Sequence, residues 1–449
     1  MHATRITFPG RFLAACATGA LALAEQRFPP PDFESGYQIP ITQTPPPRAL
    51  ALQYLDVVLL LVALALAWYF VYRRRSRRGV LWLSLASLLY FGFYREGCIC
   101  AIGAPQNIAL ALADPTYAIP FTALAFFVLP LVFSLLMGRV FCAAVCPHGA
   151  LQDVILIKPV KVPAWLEQGL SIVPYLFLGA GVAVATTGAT FLLCRYDPIV
   201  PLFRMTGSWP LVAAALGTVA LGLFVGRPYC RFLCPYGALL RLGSLVARWR
   251  VRITPDYCTQ CRLCETSCPF GAIREPAPAA GPPTALDRDR RRLGWFLLGL
   301  PLLVFLTGWG GSHLGPPASR LHPTVALAER YLAPAETRPP VATPTPESLA
   351  LDRANQDPKT LLTEARRIQQ RFHRAGWGFG IWAGLVLGFK LISLTLRPMR
   401  TDFEPDRAAC VACARCFLSC PNERVRLGLL PPDAIPAGNE NPRSEAAPR

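Results

Sequence analysis

Apolar residues are laid along this chain in long blocks, not in the short alternating patterns of half-buried strands. Seven stretches are almost continuously apolar: residues 57–72, 80–94, 119–137, 170–193, 209–225, 295–309 and 377–396. A helix crossing hydrocarbon needs about 20 such residues, with a range of about 17–25. The second and sixth stretches are short by that measure. The pattern predicts an all-α polytopic membrane protein with about seven transmembrane helices. Lys390 falls near the end of the last stretch, where a long stem lets an ammonium reach the interface.

Charge supplies the orientation. Arg73, Arg74, Arg75, Arg77 and Arg78 follow the first block. Short basic flanks mark the cytoplasmic side, so the N-terminus is expected on the periplasmic side. Counting onward, residues 138–169, 226–294 and the C-terminal tail fall inside. Residues 98–100, Cys194 and residues 311–376 fall outside. Arg288, Arg290, Arg291 and Arg292 agree with this; Arg366, Arg367, Arg371 and Arg374 run against it, in a loop longer than those that obey the rule. An outside N-terminus calls for an export signal. Arg5 and Arg11 ahead of residues 12–24, ending Ala22-Leu23-Ala24, fit one. Cys16 is a weaker candidate for lipid attachment.

The chain has 449 residues, of which 53% are hydrophobic and 16% charged, with a mean hydropathy of +0.36. A soluble domain carries about 25% charged residues. The formal net charge is +18, which a nucleic-acid binder could also show. Here the arginines gather at the ends of apolar blocks, so the expected partner is a membrane and no nucleic acid. Segments 275–283 and 334–346, rich in Pro and Ala, read as linkers. The tail after residue 430 lacks apolar periodicity and reads as disordered.

Eight of the 16 cysteines fall in two runs of four. Cys258, Cys261, Cys264 and Cys268-Pro269 have the spacing of bacterial two-cluster ferredoxins, and Cys410, Cys413, Cys416 and Cys420-Pro421 repeat it. Iron in a cubane takes soft, anionic thiolates. Zinc sites use separated pairs of cysteines instead. Two [4Fe-4S] clusters are therefore expected. The fourth cysteine of each run ligates the other cluster: Cys258, Cys261, Cys264 and Cys420 form one set, and Cys410, Cys413, Cys416 and Cys268 the other. This small α+β ferredoxin domain would be assembled from both ends of a transmembrane hairpin, since the sixth and seventh apolar stretches lie between its halves.

A second pattern is an internal repeat. Gly138-Arg139-Val140-Phe141-Cys142-Ala143-Ala144-Val145-Cys146-Pro147-His148-Gly149-Ala150-Leu151 recurs as Gly226-Arg227-Pro228-Tyr229-Cys230-Arg231-Phe232-Leu233-Cys234-Pro235-Tyr236-Gly237-Ala238-Leu239. Each copy follows an inbound span. Each inbound span follows an Asp-Pro step, Asp114-Pro115 or Asp197-Pro198, and outer cysteines precede both, Cys98 and Cys100 in one unit and Cys194 in the other. The membrane core thus reads as a two-hairpin repeat, and functional sites in membrane repeats lie where the copies meet. Cys142, Cys146, Cys230 and Cys234 are candidates for a redox site, a metal cluster or a thiol pair, against the alternative that they only pack. The outer Cys98, Cys100 and Cys194 are open between metal ligation, a disulfide and free thiols. His148 is replaced by Tyr236 in the second copy, and His313, His322 and His373 read as solvated or interfacial, with haem ligation as the other reading.

The paired Cys-x-x-x-Cys-Pro segments followed by a ferredoxin run resemble the NosR/NapH family of membrane polyferredoxins. The segment from Arg95-Glu96-Gly97-Cys98-Ile99-Cys100 to Gln106-Asn107, and Cys194-Arg195-Tyr196-Asp197-Pro198, resemble that family too. The similarity is closest to a NosR-like membrane core and covers roughly residues 57–273. It implies a bacterial inner-membrane electron-transfer protein supporting a periplasmic reductase such as nitrous-oxide reductase. Two features depart from that pattern. Some 55 residues precede the first span, where NosR carries a flavin-binding domain, and no flavin attachment motif is visible; the second ferredoxin run also lies beyond an extra hairpin.

The expected organisation is a periplasmic signal-like segment (1–54), a membrane core (55–250), a first ferredoxin half (251–280), a hairpin with a periplasmic loop (281–400), a second ferredoxin half (401–430) and a tail (431–449). The expected function is electron relay between a cytoplasmic reductant or a quinol and a periplasmic acceptor protein, with quinone as a candidate cofactor. No nucleophile–base constellation marks a self-contained enzyme. The alternatives are a regulatory or maturation factor for a periplasmic metalloenzyme, and a quinol dehydrogenase subunit.

Overall fold

Four of the apolar blocks form helices long and apolar enough to cross a membrane: Leu50–Arg73, Ala164–Thr186, Asp289–Leu321 and Lys359–Thr395. Phe121–Met137 and Trp209–Gly222 are shorter apolar helices. The computed structural model describes residues 49–97, 101–253, 258–277, 283–332, 358–396 and 400–431, with side chains from residue 289 in the third long helix and from 359 in the fourth, Arg330 excepted. Residues 1–48 of the signal-like segment (Cys16 among them), the outer Cys98 and Cys100, residues 278–282 of the first linker, the whole second linker and residues 432–449 lie outside the described residues.

Leu50–Trp68 shows how an apolar block is divided between two environments. Asp56, Val57, Leu60, Ala63, Leu64 and Ala67 recur at helical spacing and are buried. Tyr54, Leu55, Val58, Leu61 and Val62 face outward. The buried carboxylate is expensive in hydrocarbon unless paired. Arg95 meets Asp56 at 3.1 Å and the Tyr90 hydroxyl donates to it at 2.8 Å. The helix ends in a π turn, Tyr69–Arg73, and the next begins at Arg77, capped by Ser76, whose hydroxyl accepts from the Gly79 amide at 3.2 Å. That second helix, Arg77–Ser87, also passes into a π segment, Leu88–Tyr94.

The block at 170–193 divides at both ends. Ala164–Leu170 precedes a turn, Val173–Thr186 carries the apolar run, and Leu192–Arg195 is a separate short helix around Cys194. The sixth and seventh blocks lie within the longest helices, Pro283–Ala318 and Pro358–Thr395. These two pack along a seam of glycines. A Cβ on Gly315 would fall 2.6 Å from the Phe372 carbonyl oxygen, and one on Gly308 2.8 Å from the Trp377 ring. Gly311, Gly376, Gly380 and Gly384 are closed in the same way by backbone or side chain of the partner helix. Small residues let helices approach where lipid offers no hydrophobic drive. The hairpin is held to Val173–Thr186 by Trp382, which donates to the Tyr175 carbonyl at 2.7 Å, and Lys390 donates to the Ser171 hydroxyl at 2.9 Å. Val325, Ala328, Leu361, Ala365, Ile368 and Phe372 form a second small core between Pro323–Leu332 and Pro358–Thr395.

The ferredoxin halves meet through a two-stranded antiparallel sheet. Strand β1, Ile273–Arg274, pairs with β2, Glu404–Pro405, in the register Ile273 with Pro405 and Arg274 with Glu404. The short helices Leu263–Ser267 and Arg415–Ser419 pack on one another. One hydrophobic core runs without a break from Leu60 and Phe126 in the membrane helices, through Cys142 and Cys230, to Phe270, Phe417 and Cys420 in the ferredoxin domain.

Candidate iron–sulfur centres

Each ferredoxin loop is wound by the same two strained residues. Gln260 and Arg262 flank Cys261 with φ of +53° and +61°, and Ala412 and Ala414 flank Cys413 with φ of +54° and +63°. A left-handed conformation costs a non-glycine residue about 1–2 kcal/mol, so its recurrence at matching positions marks a loop shaped around something. The winding gathers the thiols. Cys264 lies within electrostatic range of Cys258, Cys420 and Cys261, and Cys420 within range of Cys261 and Cys258. Cys410 interacts with Cys413 and Cys268, and Cys416 with Cys410, Cys413, Cys268 and Cys264. Thiols of the two runs are interleaved, and Cys416 lies within range of thiols from both. Burial pushes Cys264 and Cys410 up to about 12, and neighbouring thiols add to the rise. Thiols gathered in so dry a place suit metal binding, which takes them as thiolates and expels their protons. Among the described residues no three His, Cys, Asp or Glu side chains converge as they would on a single ion. An all-thiol set suits a cubane, where each iron takes one thiolate.

The two Cys-x-x-x-Cys-Pro motifs fold alike. The Phe141 carbonyl accepts from Val145 at 3.0 Å and Cys146 at 2.9 Å; the Tyr229 carbonyl accepts from Leu233 and Cys234, both at 2.9 Å. Each second cysteine precedes a helix started by proline, Pro147–Val154 or Pro235–Leu245. Each following glycine stands over the first cysteine's carbonyl, Gly149 over Cys142 and Gly237 over Cys230. Cys142, Cys146, Cys230 and Cys234 line one cavity together with Arg139, His148 and Tyr236. Donors point at three of the sulfurs: Gln152 at Cys230 (3.3 Å), the Gly237 amide at Cys234 (3.2 Å) and Arg139 at Cys142 (3.8 Å). Arg139 and Arg227 are almost wholly buried, and the Nε–H of each has no acceptor among the described residues. Orphan cationic donors beside a set of thiols fit an anionic iron–sulfur group.

Residues without a pattern in the sequence complete this region. Asp153 is buried and paired with Arg77, with Arg415 at 3.0 Å and with Arg227 at 3.7 Å. Burial alone would raise its carboxyl, but the guanidinium groups of Arg227, Arg77 and Arg415 outweigh it and hold it at about 2. Glu423, fully buried, pairs with Arg75 at 2.8 Å and Arg426 at 2.9 Å. His148, set aside in the sequence because Tyr236 replaces it in the second copy, is buried against Tyr229 with ring centroids 5.6 Å apart. Its Nε2 is 3.4 Å from Asp197, which accepts from the Tyr229 hydroxyl at 2.9 Å. The two Asp-Pro steps differ: Asp197 is buried, whereas Asp114 is exposed and accepts from Thr116. The fully buried Gln106 donates to Cys194 at 3.6 Å and accepts from the Leu193 amide at 2.8 Å. Of the remaining candidate histidines, His313 meets the Trp309 ring, His322 accepts from the Thr324 amide, and His373 lies 3.2 Å from the Ser312 carbonyl.

A family profile described as a 4Fe-4S binding domain matches residues 119–161 and 208–254, the two motif-bearing segments. A second profile with the same description matches residues 250–273, the first ferredoxin half. The chain is 34% identical over 221 residues to Protein NirI of Paracoccus denitrificans, covering 44% of this chain and 31% of that protein. It is 28% identical over 240 residues to Regulatory protein NosR of Pseudomonas aeruginosa, covering 48% of this chain and 33% of that protein. It is 28% identical over 178 residues to Methylamine utilization ferredoxin-type protein MauN of Paracoccus denitrificans, covering 35% of this chain and 58% of that protein. The chain thus spans about a third of the length of NirI and of NosR. No solved structure matches significantly. With its apolar helices, its 4Fe-4S binding segments and these relatives, the chain is similar to the NosR/NapH-like membrane ferredoxins.

Proposed function

We propose that this protein relays electrons across the bacterial inner membrane between a cytoplasmic or quinone donor and a periplasmic reductase system of the denitrification type, nitrous-oxide reduction being the case indicated by its NosR-like core. The observation that carries the reading is the unbroken core joining the ferredoxin cysteines to the membrane-motif cysteines. In this reading two [4Fe-4S] clusters are held by Cys258, Cys261, Cys264 and Cys420 and by Cys410, Cys413, Cys416 and Cys268. A further iron–sulfur site is held by Cys142, Cys146, Cys230 and Cys234. Bound clusters supply one-electron redox chemistry; the protein's part is to hold them close, exclude water and set their potentials through hydrogen bonds and charge. About seven spans place the ferredoxin domain in the cytoplasm and Cys98, Cys100 and Cys194 at the periplasmic side. The sequence match to proteins named NirI and NosR supports the denitrification link, and the printed name of NosR, a regulatory protein, favours a redox-sensing regulator as the second reading.

The test is reduction of an outer acceptor by sealed vesicles given a reductant on the ferredoxin side. Single Cys→Ala changes at Cys142, Cys146, Cys230 and Cys234 are expected to cost nearly as much transfer as all four together, because residues acting as a unit are non-additive. Near-normal rates in the quadruple variant would remove the relay reading. Retained electron flow with lost maturation of a partner reductase would favour the regulatory one.

A further inference from the structure

The ferredoxin domain presents its two cysteine sets differently. Each set has two buried thiols, Cys264 and Cys420 in one and Cys413 and Cys416 in the other, but Cys261 of the first set is exposed, whereas Cys268 and Cys410 of the second are half-buried. The set without an exposed thiol is also the one in touch with the membrane motifs. The Arg77 side chain donates to the Cys413 carbonyl at 3.2 Å, and Arg139 donates both to the Ala408 carbonyl at 3.2 Å and to the Cys142 sulfur at 3.8 Å. From the second motif, a Cβ on Gly226 would come 2.5 Å from the Pro269 carbonyl oxygen. Arg227 lies 5.3 Å over the Phe270 ring and within electrostatic range of Cys230, Cys413 and Cys142. So the Gly-Arg step that opens each motif is a seat for the ferredoxin domain, one under Ala408 and one under the Cys268-Pro269-Phe270 turn.

The charge at this seat is unbalanced. Arg77, Arg227 and Arg415 share the single carboxylate of Asp153, and Arg139 has no carboxylate partner among the described residues. Buried cations without counterions are costly, and anionic iron–sulfur centres held on either side would supply what Asp153 does not. A positive charge stabilises the more negative, reduced state of a nearby centre.

We infer that Arg139 and Arg227 form the electron-crossing contact of the relay. The centre on Cys410, Cys413, Cys416 and Cys268 is its membrane-side member, and the centre on Cys258, Cys261, Cys264 and Cys420 its solvent-side port. This rests on the proposed reading that both cysteine regions hold iron–sulfur centres. Each step moves one electron from a reduced centre to an oxidised one; no bond forms or breaks, and the first electron comes from a soluble low-potential one-electron reductant. Exposed Arg262 and Lys161 lie beside the port, paired with Glu265 and Glu275. Arg139 and Arg227 are positioning residues: they act on the centres and bind no substrate.

The experiment is a redox titration of the full chain, purified anaerobically and reduced with dithionite, with each centre followed by electron paramagnetic resonance and its signal assigned through Cys261→Ser and Cys413→Ser. Arg227→Gln is expected to lower the midpoint potential of the Cys410-side centre and of the membrane-motif centre, leaving the Cys258-side centre in place. Arg227→Lys, which keeps the charge, should restore most of the shift. Arg262→Gln should move only the Cys258-side centre. Arg139→Gln gives the same reading as Arg227→Gln should the latter fail to fold. Unmoved potentials in both glutamine variants, or a shift largest at the Cys258-side centre, would overturn the inference. Iron and sulfide counts separate it from the reading beneath it. About eight of each, which is what two cubanes contain, together with a shift at the Cys410-side centre overturns only the assignment of the membrane thiols.

Discussion

Arg227 donates a hydrogen bond to the carbonyl oxygen of Cys142, 85 residues away in the other copy of the cysteine motif. The same guanidinium reaches the Ala143 carbonyl and Asp153. One side chain therefore fixes the two motifs relative to each other and to the ferredoxin domain above them.

Replacing Asp153 with Asn should expose how much of that arrangement depends on its charge. It would leave the buried ends of Arg77, Arg227 and Arg415 without a carboxylate, and breaking a buried ion pair from one side costs about 3–5 kcal/mol. The carboxyl is depressed in the folded state, so its stabilisation is complete above the unfolded value, about 3.9, and is lost as pH falls through about 2. Wild type and Asp153→Asn should differ by that amount in denaturant unfolding at neutral pH, and the gap should narrow by about 2–3 kcal/mol between about pH 4 and pH 2. A gap that stays constant over this window would show that Asp153 is not the group responsible.

Cys264→Ser and Cys268→Ser should damage different centres, although the residues are close in sequence. Cys264 is grouped with Cys258, Cys261 and Cys420, whereas Cys268 is grouped with Cys410, Cys413 and Cys416. Spectra of the two variants should lose complementary signals. Loss of the same signal in both would mean that the thiols pair otherwise.

Gly380→Ala and Gly378→Ala should have opposite signs. A Cβ at Gly380 would meet the Gly308 Cα at 2.8 Å, whereas at Gly378 it meets nothing. Overpacking costs about 1–3 kcal/mol, while replacing an unconstrained helical glycine by alanine gains up to about 1 kcal/mol. Thermal unfolding in detergent measures both, and equal effects would contradict the glycine seam.

Gln152→Leu should weaken the second motif. Its amide donates to the His148 carbonyl at 2.8 Å and to the Cys230 sulfur at 3.3 Å, and its oxygen accepts from the Tyr229 amide at 3.0 Å. Leaving buried partners unsatisfied costs about 1–3 kcal/mol. Loss of the N–H to sulfur bond should also lower the potential of a centre held there, so an unchanged potential in a folded variant would place the cluster elsewhere.

The cysteine runs, the doubled Gly-Arg motif and the meeting of the ferredoxin halves could be read from the sequence, because each is carried by residues at fixed local spacing. Asp153 could not: its partners come from positions 77, 227 and 415, and no local pattern announces a three-way contact. Arg75 and Arg77 were legible as charge that orients the first span, but the structure also gives them carboxylates, Glu423 and Asp153. A basic flank and a docking cation have the same sequence signature. Gly376, Gly380, Gly384 and Gly388 recur every fourth residue, a spacing known to draw membrane helices together. Hydropathy averaged along a block hides that pattern, since it sums over all faces of the helix.

The pairing of β1 with β2 also orders the making of this protein. Ile273 leaves the ribosome before the two longest helices of the chain, and its partner Pro405 leaves after both. The first half therefore stays incomplete until about 130 more residues have been made, the stretch that separates its strand from the partner strand. Packing of the two glycine-lined helices becomes a checkpoint: iron and sulfide delivered earlier meet an open half-domain, and a chain whose helices fail to pair leaves the ferredoxin core open.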